Sequence, residues 1–367
     1  MSAPATAEST TTGAQTARSS ARDPFLDNAR YWMMLLVVVG HFLTPLTDLD
    51  DARGLYRFIY LFHMPVFILI SGYTARHHTG TPRQIRRTVS TLVIPYLLVE
   101  AGLEAFEAWL AQEPLNWHIL EPDWLTWFIA ALFIWRLSTP IWRAIRWPIP
   151  IAIACSLIGG LATVSDVLAI PQVIGFLPFY VIGMHLKREH FDRLRTWKVR
   201  VPAVAVLAAV AYVCLLEPKE WVMSWLYWRD GYSEAPLYAS ALDGMQNRAC
   251  LLIIGLVLAT AVLALIPRRH AWYSKLGQRT LYCYLLHGFV ILWLTYYGAF
   301  DYMLAHDQVG MWLMVAAAVV LAHLLMSRVV AEGFRPVFEP RLRWLFHDEP
   351  SETPRRADAP GTPARHS

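Results

Sequence analysis

Arg30 and His41 are the first residues in the chain whose types and spacing could do chemistry. Eleven residues of α-helix turn through about 1100°, three turns plus roughly 20°, so both groups share one face about 16 Å apart. Asp27, three residues before Arg30, falls on the same stripe. Imidazole can take a proton from a hydroxyl, or carry an acyl group as a nucleophile, near neutral pH. His63 follows in LYRFIYLFHMPVFILISGY, at similar depth in the next apolar stretch. Two imidazoles on adjacent antiparallel helices can share a cavity. The alternative is that His63 only bonds a backbone carbonyl freed by Pro65. Both readings stay open from sequence alone.

Further candidates surround these. The segment Arg83-Gln-Ile-Arg86-Arg87 places three guanidiniums beside the membrane, where they can orient the chain, contact anionic lipid or grip phosphates. Glu100, Glu104 and Glu107 are spaced by four and three, which puts them on one helical face. Glu100 falls well inside an apolar stretch and needs a partner or a wet cavity. Carboxylates at an outer vestibule suit the hydroxyls of a polyol. His287 lies seven residues into TLYCYLLHGF's apolar run and reads as a packing residue, and His77 and His78 read as solvated. The chain has no Gly-rich phosphate loop, zinc-type histidine pair or serine elbow.

The elements that must position these groups are membrane spans. Of 367 residues 56% are hydrophobic and only 16% charged, and runs of about 20 apolar residues recur. Ten spans are expected, near 31–47, 56–75, 88–108, 124–142, 148–165, 169–186, 201–217, 249–266, 280–297 and 309–329. With the N-terminus in the cytoplasm, 27 of the 32 Lys and Arg fall on the cytoplasmic side. Arg136 is counted there as an orientation charge. Only Arg53, Arg57, Lys219, Arg229 and Arg248 fall outside. The predicted fold class is therefore all-α, a polytopic integral membrane bundle of about ten helices with both termini cytoplasmic, in the cell membrane. Residues 1–23 and 345–367 read as disordered polar tails around a membrane domain at 24–344. The outer loop near 218–248 mixes Trp, Tyr and carboxylates, which suits either sugar contact or an interfacial helix. Cys155, Cys214, Cys250 and Cys283 sit in apolar runs without metal-ligand spacing and read as buried thiols. Nothing points to nucleic acid or to a metal.

Taken together, the motifs resemble the integral-membrane acyltransferase type 3 family, whose members include carbohydrate O-acetyltransferases, and most of all its fucose 4-O-acetylase-like members. The resemblance covers residues 23 to 335. Arg30 and His41 meet the family's arginine, ten residues, histidine pattern, and Arg83 and Arg86 meet its Arg-x-x-Arg loop. FHMPVFILISGY, TWFIAALFIWRL and TLYCYLLH look like family blocks in the right order. Some members carry a further extracytoplasmic domain after the spans, which is not found here, so an external partner for the transfer stays an open expectation. The resemblance implies transfer of an acyl group, usually acetyl, from cytoplasmic acyl-CoA to a hydroxyl on a carbohydrate or other polyol at the membrane. No tightly bound cofactor is implied; acetyl-CoA is the donor substrate. On this reading His41 is base or acyl relay with His63 in support. Arg30, Arg83 and Arg86 orient the CoA head group, and Glu100 and Glu104 face the acceptor. The rival reading is a transporter with intramembrane His and Glu relaying protons.

Overall fold

The computed structural model describes residues 23–162, 166–216, 223–233 and 239–340. Every regular element among them is helical. Both expected tails lie outside the described residues except at Asp23, as do Glu217, Glu220, Trp221 and Glu234 of the outer loop.

Helices occupy all ten stretches expected as spans. Seven are long and apolar enough to cross a membrane: Pro24–Leu46, Asp50–Ala75, Pro82–Ala111, Val167–His185, Trp197–Leu216, Ala241–Leu265 and Asp307–Leu325. Pro148–Gly159 and Thr280–Tyr296 are apolar but shorter. Trp127–Ala144, at the expected fourth span, carries Arg136 and Arg143.

Six helices in the first four expected spans build most of the site. Helix α1, Pro24–Leu43, starts on Asp23, whose carboxylate accepts from the Phe25 N–H, with Pro24 preorganising the first turn. The second expected span is two helices, α2 at Asp50–Tyr60 and α3 at His63–Ala75. Pro65 is the reason for the break. It lacks an N–H and is tolerated in a first turn but not mid-helix, so α3 begins two residues before it. The third span starts as α4, Pro82–Thr88, under a Thr81–Gln84 capping box. It passes through one π-turn at Val89–Val93 and continues as α5, Ile94–Ala111. Pro95 again explains the irregularity, since its missing N–H and its ring cannot fit a regular i−4 ladder. Helix α6 is Trp127–Ala144.

The remaining helices pack around these. They are α7 at Pro148–Gly159, α8 at Ile170–His185, α9 at Arg188–Arg193, α10 at Trp197–Leu216, α11 at Ala241–Leu265 and α12 at Ser274–Gly277. Then come α13 at Thr280–Tyr296, α14 at Ala299–Leu304, α15 at Asp307–Leu325 and α16 at Arg328–Phe338. α3 and α8 cross with their backbones in contact. A Cβ on Gly72 would lie 2.1 Å from the Tyr180 carbonyl oxygen, and one on Gly183 would lie 2.2 Å from that of Leu69. Close approach through small residues is how membrane helices gain packing when lipid removes the hydrophobic drive. α10 shows the opposite face of that rule. Its mean hydropathy is 2.3, yet only Ala203 and Cys214 are buried, as suits a helix facing acyl chains.

The base of α1 is pinned to the chain between α11 and α13. Asn28 Nδ2 donates to the carbonyls of Pro267 at 2.7 Å and Arg269 at 3.0 Å, and its Oδ1 accepts from Ser274 Oγ at 2.6 Å. Asp27 accepts from Gln278 Nε2 at 2.9 Å. These bonds fix both the height and the rotation of α1, and so the direction in which its Arg30–His41 face points.

Candidate active site

A cavity of about 570 Å³ runs along that face. Three helical stripes line it: Arg30, Met34, Val37 and His41 from α1; His63, Phe67, Ile70 and Thr74 from α3; Phe128, Leu132 and Arg136 from α6. Each stripe steps by three or four residues, the spacing of one helix face. Arg30 to Pro45, both lining residues, span fifteen residues or about 22 Å, so the cavity is long and narrow. Arg30 and Arg136 mark one end. Tyr56, Tyr227 and Arg229, which is paired with Asp166, mark the other.

His41 lines the cavity and is joined to His287, which is fully buried on α13. His41 Nδ1 and His287 Nε2 are 2.9 Å apart, and His287 Nδ1 is 2.9 Å from the Cys283 carbonyl oxygen. A carbonyl can only accept, so His287 Nδ1 carries the proton. His287 Nε2 is then a lone pair and accepts from His41 Nδ1–H. That leaves the lone pair of His41 on Nε2, which has no protein partner among the described residues. The chain of bonds thus fixes the tautomer in which His41 is a base. Histidines bonding their own i−4 carbonyl recur at His185, His306 and His323, so the clasp on Cys283 is not special by itself. What sets His287 apart is that its other nitrogen meets His41.

His63 also lines the cavity. Its Nδ1 donates to the Ile59 carbonyl oxygen at 2.9 Å, so its Nε2 is an acceptor. The two sequence readings of His63 are therefore both present in one geometry. The carbonyl is that of Ile59, not the one Pro65 leaves bare. Around the imidazoles stand aromatic rings. Trp124 meets His41 edge-on with centroids 4.7 Å apart, Tyr60 meets His63 at 4.6 Å, and Tyr56 donates to Tyr227 at 2.8 Å.

Trp124 is held there by the short chain before α6. Glu100 accepts from the Asp123 N–H at 3.1 Å and from Thr126 Oγ1. Tyr284, three residues before His287, donates to the Leu125 carbonyl. Glu104 accepts from the His118 N–H at 2.7 Å. Glu100 and Glu104 therefore lie outside the cavity lining, and their bonds secure the segment that carries Trp124. Burial, then the nearby Glu107 and Glu104 carboxylates, push the Asp123 carboxyl above its ordinary range.

At the other end, Arg30 lies 3.2 Å from Asp27 and faces the cavity. Arg83 is exposed and Arg86 half-buried on α4, and neither lines the cavity. The structure thus brings Arg30, His41 and His63 together and leaves Arg83, Arg86, Glu100 and Glu104 at its margins. It adds His287 and Arg136. Sequence reasoning had a signal for Arg136, an ionisable group inside an expected span. For His287 it had only depth within a span, because its partner lies 246 residues away.

A bundle of apolar helices around a cavity lined by histidines and arginines suits group transfer within a membrane. The chain belongs to the acyltransferase type 3 family: the profile described as an acyltransferase domain matches residues 23–327. It is therefore a membrane acyltransferase that moves groups other than amino-acyl groups. The nodulation protein NolL of Sinorhizobium fredii is 26% identical over 312 residues, covering 76% of this chain and 80% of the relative. NolL of Mesorhizobium japonicum is 24% identical over 312 residues, covering 76% and 79%. No solved structure matches the chain significantly.

Proposed function

We propose that this acyltransferase carries an acyl group, acetyl in the first instance, from cytoplasmic acyl-CoA to a hydroxyl of a carbohydrate or other polyol at the membrane or its outer face. The observation that carries this reading is the Cys283 carbonyl–His287–His41 chain, which leaves a lone pair on His41 Nε2 at a cavity with arginines at one end. His41 Nε2 takes the proton of the acceptor hydroxyl. The alkoxide oxygen bonds to the thioester carbonyl carbon, and the carbon–sulfur bond breaks as the tetrahedral intermediate collapses. The thiolate leaves with the proton held by His41, so the imidazole returns to its starting form. His287 accepts from His41 throughout and stabilises the imidazolium between the two proton transfers.

The donor enters from the arginine end. Arg30 faces it, while Arg83 and Arg86 on α4 add positive potential around the entrance. The acceptor enters from the aromatic end. Trp124 and Tyr227 offer faces to a sugar ring. Gln172 lines the cavity and its Oε1 has no partner among the described residues, so it can accept from a hydroxyl. A direct transfer and an acyl-histidine route share these groups and differ only in whether His41 Nε2 itself holds the acyl group.

The test is transfer of label from radiolabelled acetyl-CoA to hydroxylated products in membranes holding the parental chain or His41→Ala. The variant is expected to insert normally and to lose transfer by at least about 100-fold. Parental rates from His41→Ala would overturn the assignment.

A further inference from the structure

Arg136 is the one arginine on α6 that faces the cavity, and its surroundings are of one sign. It lines the cavity opposite Arg30, on the same stripe as Phe128 and Leu132. Arg30 and Arg87 are charged groups that act on it, both repulsively, and its other ionisable neighbours are Tyr180 and His78. Among the described residues no hydrogen bond or ion pair ties its guanidinium. Other arginines at this end are engaged: Arg76 donates to the Tyr73 carbonyl at 2.6 Å, and Arg143 to that of His78 at 3.4 Å. Arg30 has Asp27. Arg30 and Arg136 at one end of the cavity, with the exposed Arg87 nearby, are costly together unless an anion completes the set. Planar guanidinium forks match phosphate oxygens two at a time, which makes a phosphate ester the anion of best fit.

We propose that Arg136, with Arg30 at the same end of the cavity, forms the socket for the phosphate groups of the donor, and that the exposed Arg87 adds to the field around it. This rests on the acyl-CoA reading above. It replaces the Arg83–Arg86 pair as the direct contact and leaves that pair as a surrounding field. The geometry suits a donor whose phosphates sit far from its thioester: Arg30 and His41 are about 16 Å apart along α1, and the cavity between them is lined by apolar side chains such as Met34, Val37, Phe67 and Leu132. A charged head stays at the arginines while a thin, weakly polar arm reaches the imidazoles. An anionic lipid headgroup offers the same phosphate chemistry but has no arm to place in that cavity.

The experiment measures binding of CoA, inorganic pyrophosphate and pantetheine to purified parental, Arg136→Gln and Arg136→Lys proteins in nanodiscs. Neutral and anionic-lipid discs are compared, with thermal unfolding as the fold control. Arg136→Gln is expected to weaken CoA and pyrophosphate at least tenfold and to leave pantetheine unchanged. Arg136→Lys should keep most of the affinity, since it keeps the charge. Unchanged CoA affinity in Arg136→Gln with acyl transfer intact would overturn the socket and leave the acyltransferase reading standing. If pyrophosphate binds at Arg136 but CoA does not bind the parental protein, the anion socket stands and the acyl-CoA reading falls. If anionic lipid abolishes pyrophosphate binding in the parental protein but not in the variants, the occupant is a headgroup and the donor assignment is overturned. Equal loss for pantetheine would make Arg136 a packing residue only.

Discussion

In the proposed mechanism His287 acts through its bond to His41, and that makes a distinction its burial alone would not. Replacing it with leucine removes the acceptor for His41 Nδ1–H, so the base loses its tautomer and its orientation. His287→Leu should lower kcat about 100-fold while donor and acceptor KM stay within about twofold. His287→Gln retains an amide oxygen that can accept the same hydrogen bond, and should recover part of the loss. Steady-state kinetics separate this from a packing role, which would treat leucine more kindly than glutamine. His78 supplies the pH dependence. Its ring nitrogens are buried, and burial first and Arg136 second lower its affinity for a proton. A group with a lowered folded pKa costs stability as pH falls below the unfolded value, because the unfolded chain binds the proton better. An anion at Arg136 offsets the repulsion and raises that pKa again. CoA binding should therefore take up protons and tighten as pH drops from about 8 to about 6, and His78→Gln should flatten this trend in titrations at several pH values.

Among the helices, the α3–α8 crossing sets where His63 stands. Gly183→Ala places a methyl carbon 2.2 Å from the Leu69 carbonyl oxygen, a backbone atom that cannot swing aside. The helices must separate, at about 1–3 kcal/mol, and thermal unfolding in detergent should fall by several degrees. Gly333→Ala on α16 is the matched control. Nothing lies within 4 Å of a Cβ there, so the same change should be neutral or slightly stabilising. At this scale the sequence was readable wherever a face is set by helical period. The Arg30–His41 stripe follows from 100° per residue, and Pro65 and Pro95 sit where the chain breaks or bulges. It was not readable where a residue's meaning comes from a distant neighbour. Glu100 and Glu104 looked like a cavity wall because their spacing gives one face, but spacing does not say that the segment before α6 folds onto that face. His287 looked like packing because nothing nearby announces His41. Arg136 passed as an orientation charge because the count of basic residues has no depth in it.

The whole molecule places the ends of its helices in two groups. Arg30, Thr74 and Arg136 line one end of the cavity, and Pro45, Tyr56, Tyr227 and Arg229 the other. The apolar side chains left exposed, such as Val201, Leu216, Ile253 and Leu324, are where acyl tails would lie. A slot about 22 Å deep in a hydrocarbon layer about 30 Å thick also carries an electrical consequence. Little solid protein remains between the compartments along α1. If donor and acceptor doors stood open together, protons would run down their gradient past the two imidazoles. A tight insulator at one end while the other admits its ligand is thus a condition of the cell tolerating such an enzyme, and the Tyr56–Tyr227 hydroxyl pair stands at the end away from Arg30 and Arg136.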